Sequence, residues 1–175
     1  MKTIVISYSL TGNNQDLAAS VAAALEARHV QITEPKARNM GKIVLDVIFG
    51  RTPKITLPME TIQEYDLVIF CGPVWMGQVA SPFRACFKEL APQIGQYAFV
   101  SICGGADGPN PKLAEELEKR LGKQPFCLTE LHIADLLSKP DPNRNDTMSY
   151  RITAGDVEKL TETAVSTLRG AMGDG

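Results

Sequence analysis

Hydrophobic and polar positions alternate along this chain in two periods, one suited to buried strands and one to helices. Ile4-Val5-Ile6 is a short β-branched run that reads as a buried strand. A few residues later Leu17, Ala18, Val21, Ala22 and Leu25 fall at helical spacing, predicting a helix near residues 13 to 28. Val30-Gln31-Ile32 reads as a second short strand ended by Glu34-Pro35. Ile43, Val44, Val47 and Ile48 mark a helical face that stops before Gly50-Arg51-Thr52-Pro53. From Lys54 to Asp66 the pattern is least periodic and Leu57-Pro58 argues against regular structure, although Ile62 and Tyr65 are placed to pack. Asp66 to Cys71 is the strongest strand; its apolar residues do not alternate with polar ones, so both faces should be covered.

The second half repeats the alternation. Ser81-Pro82 reads as a helix opening, serine as cap and proline at the first position, with Val79, Phe83, Phe87 and Leu90 down one face. Tyr97 to Ile102 is a fourth strand. Asn110-Pro111 opens a helix by the same logic, carrying Leu113, Leu117 and Leu121 and closed by Gly122. Phe126 to Thr129 and Leu131 to Ile133 suggest a fifth strand, continuous or interrupted. Residues Ser138 to Tyr150 have loop chemistry, open to use as a lid, a subunit contact or plain surface. Val157, Leu160, Ala164 and Leu168 define a last helix, with Met172-Gly173-Asp174-Gly175 as a fraying end. Five strands alternating with helices predict an α/β fold, a doubly wound five-stranded parallel sheet with helices on both faces, formed by residues 1–175 as one domain.

Composition narrows the class. The 175 residues are 44% hydrophobic, ordinary for a globular chain, and no apolar run approaches the ~20 residues that span a bilayer. The apolar stretch after Met1-Lys2-Thr3 is too short for a signal sequence and lacks a small-residue cleavage pattern, which reads as a cytoplasmic protein. A net charge of −2 from 18 basic and 20 acidic residues, well mixed, gives no footprint for nucleic acid or a membrane surface. Cys71, Cys86, Cys103 and Cys127 show no Cys-x-x-Cys spacing and there are two histidines, so buried free thiols are expected, with no metal site and no disulfide framework.

Candidate chemistry lies in the loops. Between the first strand and helix, Ser9-Leu10-Thr11-Gly12-Asn13-Asn14 rings a helix N-terminus, whose free N–H groups and positive dipole end suit a phosphate. The plainer use of these residues is a helix cap by Thr11 or Asn13. The loop has no Gly-x-x-x-x-Gly-Lys-Ser/Thr and no Gly-x-Gly-x-x-Gly, which excludes the nucleoside triphosphate and dinucleotide loops. A hydroxyl-rich loop without a cation remains, suited to a phosphate monoester. In a doubly wound sheet of order 2-1-3-4-5, ligands bind at the carboxyl ends of the strands where the order reverses. That rule selects this loop, the loop at Pro73-Val74-Trp75-Met76-Gly77-Gln78 and the loop at Cys103-Gly104-Gly105-Ala106-Asp107-Gly108.

The order Ser9 to Asn14 resembles the phosphate loop of the flavodoxin family, with Asn14 offering an amide donor where the family has a hydroxyl. Val-Trp-Met-Gly followed by Ser81-Pro82 resembles the family's flavin-stacking loop. The resemblance covers nearly the whole chain and implies a flavodoxin-like fold binding FMN. It implies Ser9, Leu10, Thr11, Gly12, Asn13 and Asn14 around the phosphate and Pro73, Val74, Trp75, Met76 and Gly77 at the ring. Cys103, Gly104, Gly105 and Asp107 would then lie near the pyrimidine edge. Trp75 packed on a neighbouring helix, and Asp107 as a plain surface carboxylate, are the alternative uses. The tyrosine common in the family's third loop is missing here, which leaves one flavin face open. Cys71 and Cys103 end adjacent strands and read as packing residues.

That open face and the near-neutral charge favour an FMN-dependent NAD(P)H oxidoreductase acting on a small acceptor such as a quinone, with subunits that pair around the flavin in many such reductases. The alternatives are an electron carrier, fed by a reductase and passing electrons to a protein acceptor, and a scaffold for another phosphate compound or a protein partner. No catalytic triad or carboxylate pair is visible, so no catalytic side chain is named.

Overall fold

A computed structural model describes residues 1–36, 38–58 and 61–173. In chain order the elements are β1 (Thr3–Ser7), α1 (Asn13–Ala24), β2 (Arg28–Gln31), α2 (Met40–Ile48) and β3 (Leu67–Cys71). There follow a two-strand ribbon of β4 (Val74–Trp75) and β5 (Gln78–Val79), then α3 (Ser81–Leu90), β6 (Gln96–Cys103), α4 (Leu113–Leu121), β7 (Cys127–His132), α5 (Arg144–Ser149) and α6 (Ala154–Gly173). The main sheet has the order β2-β1-β3-β6-β7, every pair parallel. Chain order reverses between β1 and β3, as the expected 2-1-3-4-5 topology requires.

Each central strand sends alternate residues to opposite cores. Ile4, Ile6, Val68, Phe70, Tyr97 and Phe99 pack under α3 and α4, while Val5, Ile69, Ala98, Val100 and Ile102 pack under α1 and α6. Leu67 to Cys71 is buried at every position, so its unbroken apolar run follows from cover on both faces. The first core is aromatic: Phe70 lies edge-on to Phe83, Phe87 and Tyr97 at centroid distances of 5.9, 4.8 and 6.2 Å, geometries favoured by ring quadrupoles.

Several local expectations change. Helix α1 ends at Ala24, and its cap is Gly12 with no side-chain bond, so neither Thr11 nor Asn13 caps it. Ser81 lies inside α3 behind Ala80, buried with its hydroxyl 3.5 Å from Asp46. Helix α4 starts at Leu113 because Asn110 is drawn into a turn by the Lys112 N–H. Of the expected α2 face, Ile43 and Val47 are buried but Val44 and Ile48 are exposed. Strand β7 is continuous; at the sheet edge its burial alternates, which accommodates Glu130. Within the Ser138 to Tyr150 stretch, Asn143 and Asp146 form a capping box that nucleates α5. In the aperiodic connector Ile62 and Tyr65 are buried, and Thr56 bridges to Thr33. Met172 and Gly173 are helical, while Met59-Glu60 of the connector and Asp174-Gly175 of the expected frayed end lie outside the described residues.

Gly72, just beyond β3, is where the cores meet the loops. A Cβ there would sit 2.3 Å from Phe83 Cε2 and 3.0 Å from the Tyr8 carbonyl. Gly72→Ala is expected to destabilise the fold by about 1–3 kcal/mol through overpacking, read as a lower urea midpoint with an unchanged slope.

Candidate functional site

The three loops converge at the carboxyl ends of β1, β3 and β6. Tyr8 N–H donates to the Cys71 carbonyl and Gly72 N–H to Val100, both at 3.0 Å, which sets the loops side by side. In the first loop Ser9 Oγ accepts from Gly12 N–H at 3.0 Å. Gly12 takes φ +99°, a conformation that a side chain would strain. Leu10 and Thr11 are exposed at the tip. The first N–H groups of α1, at Asn13 and Asn14, have no intrahelical acceptor.

Both asparagine side chains point inward, with only 4% of each residue exposed. Asn13 Nδ2 donates to the Tyr150 carbonyl at 3.1 Å, and its Oδ1 accepts from Ile152 N–H at 3.3 Å. Asn14 Nδ2 donates to the Ile102 carbonyl at 2.8 Å, and its Oδ1 accepts from Ile102 N–H at 3.0 Å. The expected donation from the Asn14 amide to a phosphate is thereby replaced. That amide continues the sheet beside β6 past the end of β3, leaving the backbone N–H groups and the Ser9 and Thr11 hydroxyls for an anion.

The second loop is a hairpin. Val74 and Trp75 pair with Val79 and Gln78, and Pro73 accepts from Ala80 N–H at 3.0 Å behind the turn. Met76 and Gly77 take φ values of 51° and 80°, the double positive φ of a tight two-residue hairpin. Met76 therefore holds a left-handed conformation costing about 1–2 kcal/mol while 67% exposed. The Gly77 carbonyl accepts from Asn110 Nδ2 at 2.8 Å, so a residue beyond the third loop orients this peptide. Trp75 is half-buried. Its ring lies edge-on to Tyr8 at 5.9 Å, and the Arg38 guanidinium sits 5.7 Å from its centroid.

Arg38 is itself held by Glu34 and Asp46, each with a contact of 2.5 Å. Burial opposes its charge, but these bonds outweigh burial and keep it protonated. Tyr8 donates to Glu34 at 2.8 Å; burial first, then this bond, lifts its phenol above the ordinary range. Nothing in the periodicity of the sequence marks Arg38 or Glu34, and Asn110 reads there only as a helix opening beside Pro111. The Glu34/Arg38 spacing of four residues is the one local signal, and it is common on any surface.

The third loop packs inward. A Cβ on Gly104 would lie 2.8 Å from Thr147 Oγ1, and one on Gly105 2.4 Å from His132 Cβ, so both glycines permit close approach to the chain's own residues. Asp107 is exposed and pairs with Arg144 of α5 at 2.8 Å. Cys71 is fully buried, which pushes its thiol up to about 12, and burial pushes the half-buried Cys103 up to about 11. Both are neutral at physiological pH. Beside the hairpin an open cleft of about 770 Å³ lies against α3 and α4, and Lys88, Lys112 and Lys119 line it along with Glu115 and Arg120.

This architecture, with loops gathered at the point where strand order reverses, is a flavodoxin-like α/β fold. No protein-family model matches the chain, and no curated protein matches it. Among solved structures it is similar to a flavoprotein from Lactobacillus acidophilus in complex with FMN, with TM-score 0.65 and 21% identity over 74% of this chain and 92% of that one. It is also similar to a flavodoxin from the domain Archaea, with TM-score 0.54 and 11% identity over 98% and 99% of the two chains. A flavodoxin, WrbA-like protein from Agrobacterium tumefaciens gives TM-score 0.50 and 16% identity over 98% of each. No helix among the described residues is long and apolar enough to cross a membrane.

Asn13 is the link between α1 and the segment before α6. Asn13→Ala leaves the Ile152 N–H without its partner and the Tyr150 carbonyl with Arg151 Nη1 alone, and is expected to cost about 1–3 kcal/mol. Hydrogen exchange should accelerate at Ile152 before it does in β1.

Proposed function

We propose that this chain binds FMN at the three convergent loops and works as a flavodoxin-like redox protein. The observation that carries this reading is the uncapped N-terminus of α1. Gly12 supplies no side-chain acceptor there, and the Asn13 and Asn14 amides are engaged elsewhere. Free N–H groups therefore stand beside the Ser9 and Thr11 hydroxyls with no lysine or arginine in the loop, a donor set that fits a phosphate monoester. Trp75, half-buried and braced by Tyr8 and Arg38, offers a rigid aromatic wall beside the hairpin turn for a flat ring. FMN would supply the two-electron chemistry. The protein would hold its phosphate at Ser9 to Asn14 and its ring between Pro73–Gly77 and Cys103–Asp107. The FMN complex of the similar L. acidophilus flavoprotein supports this reading.

For the finer role we infer an oxidoreductase that takes electrons from NAD(P)H and passes them to a small acceptor such as a quinone. The lysines lining the cleft beside Met76 and Gly77 favour an anionic donor close to the ring. Thr147 and Arg144 engage the third loop from α5.

Retention tests the cofactor. Protein reconstituted with FMN and desalted is expected to keep shifted flavin bands. Thr11→Val should weaken FMN at least ~10-fold, the loss of one hydrogen bond to a charged group, while riboflavin affinity stays unchanged. Equal losses for both flavins would remove the phosphate from this loop.

Anaerobic titration tests the role. NADPH or NADH is expected to bleach the bound flavin, and Lys112→Glu with Lys119→Glu should raise the concentration needed several-fold. Flavin that ignores both nucleotides yet accepts electrons from dithionite would instead make the protein a carrier.

A further inference from the structure

We propose that Cys103, Glu130 and His132 form a binding site for a borderline-soft divalent metal ion, Zn²⁺ by preference. The three side chains belong to the carboxyl ends of β6 and β7. Pairing in register places Cys103 beside His132 and Ser101 beside Glu130, and residues two apart share a face. One sulfur, one carboxylate oxygen and one imidazole nitrogen thus come within 4.8 Å of one another, each residue half-buried. Donor atoms around tetrahedral zinc lie ~3.6 Å apart, from bond lengths of about 2.0–2.3 Å, so side-chain rotation closes the remaining ångström.

The surroundings lack partners that a metal would supply. His132 Nε2 is buried without a hydrogen-bond partner, and so is the hydroxyl of Ser101 on the same face. The other ring nitrogen, Nδ1, faces the Asp135 carboxylate at 3.8 Å. That distance is beyond a hydrogen bond, and a small turn of the exposed Asp135 side chain would bring the outer carboxylate onto the imidazole, as metal-ligating histidines have it. Glu130 accepts from the Asn110 N–H at 3.3 and 3.2 Å through its two oxygens, which fixes the carboxylate. A mixed sulfur, nitrogen and oxygen set suits zinc and disfavours magnesium and calcium, which take oxygen alone. With three protein ligands, the fourth position is left for water. Binding releases the Cys103 proton to solvent, the metal taking its place on the sulfur, with no change of oxidation state.

The experiment uses the full chain stripped with a chelator and free of flavin, so its outcome is separate from the cofactor reading. Titration with Zn²⁺ against a chromophoric chelator is expected to give one equivalent bound at micromolar concentration or tighter. Co²⁺ should give visible tetrahedral bands together with a sulfur-to-cobalt charge-transfer band. Cys103→Ser is expected to abolish the charge-transfer band, and His132→Gln to weaken Zn²⁺ by more than the ~10–100-fold that loss of an outer-shell partner costs. Glu130→Gln, which keeps an acceptor for the Asn110 N–H, decides the matter where either variant fails to fold: affinity should fall while the apo circular dichroism stays unchanged. No Zn²⁺ held by the wild type at micromolar concentration would overturn the site. So would Zn²⁺ held equally by wild type and Glu130→Gln, or a cobalt spectrum without the sulfur band.

Discussion

The site depends on two buried carboxamides. Asn13 and Asn14 begin α1, yet neither side chain turns outward to cap it. Each amide imitates a piece of backbone, presenting a C=O to one N–H and an N–H to one C=O. Asn13 does this with the segment ahead of α6 and Asn14 with β6. A net hydrogen bond contributes about 0.5–1.5 kcal/mol, but an orphaned buried group costs more. The pairs therefore act chiefly as a positional constraint. They anchor the first turn of α1 to parts of the chain 88 and 139 residues away and keep side chains from covering its N–H groups.

The second constraint is electrostatic. Arg38 reaches across Trp75 from the segment between β2 and α2, gripped by Glu34 and Asp46. A buried ion pair is weak evidence for stability, because desolvation offsets much of its attraction. Its effect here is geometric. Glu34 also receives the Tyr8 hydroxyl, and Tyr8 abuts the edge of Trp75. One carboxylate thus fixes two of the groups that hold the indole. The strained Met76 at the neighbouring hairpin tip persists because Asn110, Pro73 and strand pairing determine the turn from outside.

The elements and their order along the chain were legible in the sequence because they rest on signals carried by contiguous residues, and the doubly wound topology that this alternation implies supplied the strand order and the convergence of loops. The continuous run at Leu67 to Cys71 and the helical spacing of Leu113, Leu117 and Leu121 each report burial directly. What remained hidden was set by partners distant in the chain. Asn14 reads as a phosphate donor until Ile102 is known to lie beside it. Gly104 and Gly105 read as room for a ligand, whereas their neighbours are Thr147 and His132. Helix α5 was missed because its signal is a short capping box, Asn143 with Asp146, inside a proline-rich stretch. The Cys103, Glu130 and His132 cluster escaped a search by ligand spacing. Its members meet through β-sheet register, which no local motif encodes.

These placements give the third loop a rigidity its composition does not suggest. Gly104 lies against Thr147 of α5 and Gly105 against His132 of β7. The Gly104 carbonyl also accepts from Ala134 N–H at 3.0 Å. Asn110, after the loop, ties Glu130 on one side to Gly77 on the other. A glycine-rich loop free in solution loses more conformational entropy on ordering than any other sequence. Here folding has already met that cost by wedging the loop between two elements. A ligand arriving at the carboxyl ends of the strands therefore meets backbone groups held in place, and the ordering penalty that weakens binding to mobile loops is small. The same wedge reaches the hairpin: Glu130 holds the Asn110 N–H, and the Asn110 side chain holds the Gly77 carbonyl beside Trp75.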